Sequence, residues 1–159
     1  MSAQTIPFVV IPCGGAKLET AAPAAELYTG SMFKDALNTA RTMTTDDNIR
    51  ILSALHGLIK LSDIVAPYDV KMGDADSITN DKLRRQVEWL IDENGTVDHE
   101  IHTLLPRRYY DTMWAAVHTV NRRHTFPMRN HFAGCAGIGY QKAALKALRT
   151  ESLNKKEGI

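Results

Sequence analysis

Apolar residues in this chain fall either in short unbroken runs or at intervals of three and four. Phe8-Val9-Val10-Ile11 lies between Pro7 and Pro12, and Cys13-Gly14-Gly15 follows. That pattern reads as a buried strand ending in a tight loop. Ile49 to Ala54 reads as a second buried strand, again followed by a loop, and Ile101 to Leu105, closed by Pro106, as a third. Between them the period lengthens to that of a helix. Met32, Phe33, Ala36, Leu37 and Ala40 predict a helix from Met32 to about Met43, capped by Ser31. Leu83, Val87, Leu90 and Ile91 predict another, started by Thr79 and stopped by Asn94-Gly95. A third runs from Tyr109 to Val120, with Tyr110, Met113, Trp114 and Val117 inward. Gly137-Ile138-Gly139 opens a last helix that packs through Ala143, Ala144, Leu145, Ala147 and Leu148. His124 to His131 suits a short strand or a loop. Leu55 to Asp76 reads as a long irregular connection, a length usually tied to function or to short helical turns.

Strands alternating with amphipathic helices imply an α/β fold. The expectation is a single three-layer domain over residues 1–153, with a frayed tail at 154–159. Its central sheet has four or five mostly parallel strands and helices on both faces. Ligands of such sheets bind beyond the carboxyl ends of the strands. Those ends carry Cys13-Gly14-Gly15, Ser53 to Gly57 and Pro106 to Tyr110, so the unusual residues converge on one rim.

Composition leaves this picture intact. The chain has 159 residues, 44% hydrophobic and 23% charged, as in an ordinary globular domain. No apolar run approaches the roughly 20 residues of a membrane span. Met1 to Thr5 lacks the basic start of a signal peptide, and Cys13 and Cys135 make no disulfide framework. A cytoplasmic protein without membrane contact is expected. No sequence feature specifies an oligomeric state. Charge does change the picture. Residues 1–98 hold 9 basic and 14 acidic side chains, and residues 99–159 hold 10 and 4. A basic final third suits phosphates or nucleic acid, or else a solvated surface balanced by the other half.

Each candidate residue has a chemical and a plainer reading. Gly14 and Gly15 let backbone amides approach an anion and Lys17 adds charge; the plainer reading is a strand-to-loop turn. Gly137 and Gly139 offer a second such nest, or close helix packing. Cys13 sits where a nucleophile could sit, or is a small buried hydrophobe. His56 can act as acid, base or phosphate contact, and Asp69 can activate water, with Tyr68 stacking beside it. Otherwise these are a loop histidine, a capping carboxylate and a core ring. Arg107, Arg108, Arg122, Arg123 and Arg129, interleaved with Tyr109, Tyr110 and Trp114, could grip a nucleic-acid backbone, or form a solvated face. The histidines and cysteines show no zinc-ligand spacing, so no metal is expected.

In order along the chain stand Ile11 to Lys17, Leu27-Tyr28-Thr29-Gly30, Leu52-Ser53-Ala54-Leu55-His56-Gly57-Leu58, Asp63 and Ala66-Pro67-Tyr68-Asp69. Together they resemble a small phage- and bacteria-associated domain family of poorly defined function. They are also distantly similar to the YaaA peroxide-stress proteins. The resemblance covers most of the chain. It implies a shared pocket of Lys17, Tyr28, Thr29, Gly30, Ser53, Gly57, Asp63 and Tyr68. YaaA proteins are longer and carry a DNA-binding region without counterpart here. They typically have Tyr at the position of His56 and no acid at that of Asp69, so those two would belong to the smaller family.

By analogy of fold and context, such domains look related to enzymes that make or break N-glycosidic bonds of bases. The expected function is therefore a DNA glycosylase for a modified base, in defence against phage with altered DNA, the base flipped into the rim. Asp69 would orient water and stabilise the oxocarbenium-like sugar, and His56 would contact the phosphate or polarise the leaving base. Cys13, Gly14, Gly15, Lys17, Tyr28, Thr29, Ser53, Gly57 and Tyr68 would bind it, and the five arginines hold the backbone. Hydrolysis of this bond needs no cofactor. The alternatives are a nucleotide-level N-glycosidase or ribosyltransferase, and a non-catalytic nucleotide or nucleic-acid binder.

Overall fold

The computed structural model describes residues 6–94, 100–120 and 127–156. Arg122, Arg123, His99, His124 and the last three residues of the expected tail lie outside them. The three expected strands form β1 (Phe8–Pro12), β3 (Ile49–Ser53) and β6 (Ile101–Thr103). Two further strands complete the central sheet, β4 (Gly57–Lys60) and β7 (Met128–Asn130), in the order β4-β3-β1-β6-β7. The pairings β1–β3, β1–β6 and β6–β7 are parallel; β4 alone runs antiparallel, on the edge beside β3. The ambiguous segment before His131 thus supplies a fourth parallel strand.

β1 sits at the centre, and its pleat explains why all its positions are apolar. Val9 and Ile11 point to one face and Phe8 and Val10 to the other, each into a separate buried cluster. The first face is covered by α2 (Ser31–Met43) and α5 (Ile138–Lys156) through Phe33, Ala36, Leu37, Ala40 and Leu145. The second is covered by α3 (Asn80–Asn94) and α4 (Arg107–Thr119) through Leu83, Val87, Leu90, Met113 and Ala116. This is the expected three-layer α/β arrangement.

The long connection after β3 is more ordered than its composition suggests. It holds β4 and β5 (Ile64–Val65); β5 pairs antiparallel with β2 (Ala22–Pro23), which leads into the single-turn α1 (Ala24–Leu27). Two-residue strands lack the length to produce a periodic signal.

Several boundaries and faces also differ. α2 begins at Ser31 itself, with Gly30 in the cap position and no side-chain cap. Thr79 does cap α3, accepting the Lys82 amide at 3.3 Å. Trp114 does not point inward: it is 46% exposed and stacks on His118 with ring centroids 3.7 Å apart. Burial of Met113 and Ala116 fixes the rotation of α4 and turns Trp114 to its flank. In α5, Leu145 is buried and Ala144 and Leu148 pack against the core, while Ala143 and Ala147 face outward. α5 continues to Lys156, into the segment expected to fray.

Candidate functional site at the carboxyl edge of the sheet

β1 and β6 are neighbours, but the chain reaches β3 on one side of β1 before crossing to β6 on the other. That reversal of strand order marks the edge at which open α/β sheets take their ligands, the carboxyl ends of β1 and β6. The loop after β1 starts there. The Cys13 amide donates to Leu52 O at 3.2 Å, and the loop then folds back on the segment after α1. The Leu18 amide donates to Leu27 O at 2.8 Å and the Thr29 amide to Ala16 O at 3.0 Å. Lys17 and Tyr28 pair across this short antiparallel bridge, which places them side by side. Tyr28 is 1% exposed and leans on Phe33, ring centroids 5.0 Å apart.

Ser53 closes β3. Its hydroxyl oxygen accepts the Leu55 amide at 3.2 Å and the His56 amide at 3.0 Å, turning the chain into β4. Gly57 completes the turn with φ +75°, a backbone region that favours glycine. Gln86 of α3 braces it: its amide nitrogen donates to His56 O at 2.8 Å, and its oxygen accepts the Leu58 amide at 2.8 Å.

Tyr68 links these pieces. Its hydroxyl lies 2.6 Å from Ser53 Oγ and 2.6 Å from the Tyr28 hydroxyl. With both Ser53 lone pairs taken by backbone amides, the serine proton goes to Tyr68, and Tyr68 donates in turn to Tyr28. The chain of donors therefore has one direction, Ser53 to Tyr68 to Tyr28. The Lys17 ammonium stands 4.4 Å from the centre of the Tyr68 ring and donates to Gly15 O at 3.2 Å. The exposed His56 ring meets Tyr68 edge-on at 5.4 Å. On the other side of the crevice, Cys13 Sγ lies 3.4 Å from the hydroxyl of Tyr109, in the first turn of α4.

Burial pushes the phenols of Tyr28, Tyr68 and Tyr109 above their ordinary range, and charge on the nearby Cys13 sulfur would add to the effect. All three act at neutral pH as protonated donors. The arrangement offers an ammonium, a directed hydroxyl chain, a thiol and an imidazole at one edge of the sheet. It can bind a polar planar group and pass a proton along a fixed path.

The structure thus brings together Cys13, Lys17, Tyr28, Ser53, His56 and Tyr68. Thr29 and Gly57 support them through the backbone. Neither Gly14 nor Gly15 adopts a positive φ, and a Cβ on Gly15 would meet open space. Asp69 is exposed and makes no hydrogen bond or ion pair within the described residues; it adjoins the cluster through Tyr68. The arginines divide. Arg107 and Arg108 open α4 on the crevice side, Arg107 with Asp111 at 3.8 Å and Arg108 donating to Met72 O at 3.4 Å. Arg129 is on β7, on the side of the sheet that α5 covers.

Two contributors went unassigned in the sequence. Gln86 interrupts the apolar stripe of Leu83, Val87 and Leu90, and a polar residue in such a stripe signals a buried partner. Tyr109 follows Pro106 at the end of the third run, and its neighbour across the crevice is set only by the β1–β6 pairing.

Residues 8–147 match the model of a family of unknown function, DUF6884, and the chain belongs to that family. It is also similar to a UPF0246 protein of Shewanella oneidensis, 38% identical over 64 residues, covering 40% of this chain and 24% of that protein. A UPF0246 protein of Shewanella denitrificans is 38% identical over 60 residues, 38% of this chain and 23% of the relative. The match thus spans about a quarter of the length of these curated relatives. It carries the YaaA-like resemblance; nothing in these descriptions extends to N-glycosidic-bond enzymes.

Proposed function

We propose that this member of the family hydrolyses the N-glycosidic bond of a base in DNA, a modified base of phage DNA being the substrate in view. The observation that carries the reading is the convergence of Lys17, Tyr28, Ser53 and Tyr68 at the carboxyl edge of the sheet, with His56 against Tyr68. Such a crevice suits a flipped base, whose glycosidic bond is out of reach inside the duplex. Lys17 and the hydroxyl chain hold its polar edge. Asp69 takes a proton from water as the water oxygen bonds to the sugar C1′. The C1′–N bond breaks, its electron pair leaves with the base, and His56 supplies the proton the base needs. Arg107 and Arg108, on the same side, steady a phosphate of the flipped nucleotide. No helix among the described residues is long and apolar enough to cross a membrane.

One observation favours a second reading. Arg129 lies across the sheet from Arg107 and Arg108, so the three form no continuous track for a polymer. A nucleotide-level N-glycosidase needs only the near pair. Mass spectrometry of bases released from ordinary DNA, hypermodified phage DNA and free nucleotides separates the readings. Release from modified DNA supports the first and release from nucleotides alone the second. Asp69→Asn is expected to abolish release while keeping binding. Full release by that variant removes Asp69 from the mechanism.

A further inference from the structure

A second set of polar groups lies where the end of α5 meets β6 and β7. A cavity of about 580 Å³ opens there, bordered by Glu100, His102, Arg129, His131 and the end of α5. The register places His102 beside Arg129, and the strand exit carries His131 to the same place. His102 Nε2 lies 3.2 Å from Glu100 Oε2, and His102 Nδ1 lies 2.8 Å from His131 Nε2, the two rings stacked within 11° of parallel. The result is a carboxylate–imidazole–imidazole chain along the cavity wall.

Charge in this cavity is not balanced internally. Glu100 is engaged by His102, and Glu151 pairs with Lys155 at 3.3 Å. Arg129 and Lys156, both exposed, make no ion pair within the described residues. Two cations beside an imidazole chain, in a concave site, match the oxygens of a phosphate group.

We infer that this cavity is a phosphate-binding site, separate from the crevice at the carboxyl edge. Arg129 and Lys156 grip the oxygens, and the imidazole chain supplies a further donor. The pair of imidazoles sets when that donor exists. With one proton on His102, directed to Glu100, His131 Nε2 donates to His102 and its other nitrogen holds a lone pair. With a second proton on His102, His131 accepts from it, and the free nitrogen of His131 carries a hydrogen for the ligand. Binding an anion therefore favours uptake of one proton by the pair, which Glu100, Glu151, Arg129, Lys155 and Lys156 face.

The test is calorimetric titration of the full chain with inorganic phosphate, a deoxynucleoside 5′-monophosphate and a short DNA duplex. Arg129→Ala and, separately, Lys156→Glu are each expected to weaken binding of the phosphate-bearing probe at least tenfold. Lys60→Met, on the edge strand β4 and in neither site, is expected to leave it unchanged. The probe that responds identifies the source of the phosphate. Sulfate, whose charge is constant from pH 5.5 to 8, is expected to bind more tightly as pH falls, and His131→Asn to remove that dependence. Lys156 is exposed in the last turn of α5, so its variant folds and keeps the test decisive. Binding of all probes unaffected by Arg129→Ala and Lys156→Glu, or no binding, overturns the inference. Loss of base release does not touch it.

Discussion

The hydroxyls of Ser53 and Tyr68 lie 2.6 Å apart, and the proton between them belongs to the serine. Two backbone amides occupy the serine oxygen from behind, so it has nothing left with which to accept. Ser53→Ala strips the partner from both amides and from Tyr68 at once. The expected loss is about 1–3 kcal/mol, the cost of unpaired buried polar groups. Urea unfolding measures it. Tyr68→Phe keeps the ring and the amide partners, so it is expected to cost less stability than Ser53→Ala while abolishing base release.

The phenols of Tyr28, Tyr68 and Tyr109 are all held above the ordinary value of 10.0, chiefly by burial. Their folded state keeps a proton that the unfolded state loses above that pH. Stability is therefore complete below about pH 10 and falls above it, by about 1.4 kcal/mol per pH unit for each tyrosine still protonated when folded. Alkaline titration at the phenolate absorbance is expected to show these tyrosines ionising late and together, at unfolding. Normal titration of all five would contradict the buried cluster.

His131 titrates in the opposite sense. Burial, followed by His102 and Arg129, depresses it from 6.5 to about 4. The unfolded chain takes up a proton that the folded chain refuses across that interval. Stability is complete above about pH 6.5 and falls as pH drops toward 4, and His131→Asn is expected to flatten this limb of the profile. Thermal midpoints measured across the range check it.

Gly57→Ala is expected to lose several kcal/mol, on the order of 2–4, since φ is +75° and an added Cβ collides with the Gln86 carboxamide. The β3–β4 turn would open, and the His56 amide would lose its hold on Ser53. A variant as stable as the parent, by denaturant unfolding, would mean that the turn is not the strained one described.

Much of the fold was legible because it rests on period. Phe8 to Ile11 is apolar on both faces, as a central buried parallel strand must be, Ile49 to Ser53 and Ile101 to Thr103 are short buried segments that end in loop signals, and Leu83, Val87 and Leu90 repeat at the helical interval. β2 and β5, of two residues each, carry no alternation to read, and β4 opens on Gly57, which by itself reads as a loop. Trp114 was misplaced because Met113 and Trp114, adjacent in sequence and both large and apolar, compete for one helix face, and only the packing of α4 on the sheet chooses between them.

The sequence by itself determined the layers, the parallel order implied by alternating strands and helices, and the rim on which Cys13, Lys17, Ser53 and His56 would gather. These follow from local period and from chain direction, which each residue carries with it. Tertiary structure alone decided that Tyr68 reaches Ser53 and Tyr28, that Tyr109 answers Cys13, and that Arg129 is parted from Arg107 and Arg108 by the sheet. Those relations join residues 15 to 96 positions apart, and their geometry is set by strand register and side-chain packing, which no local pattern encodes.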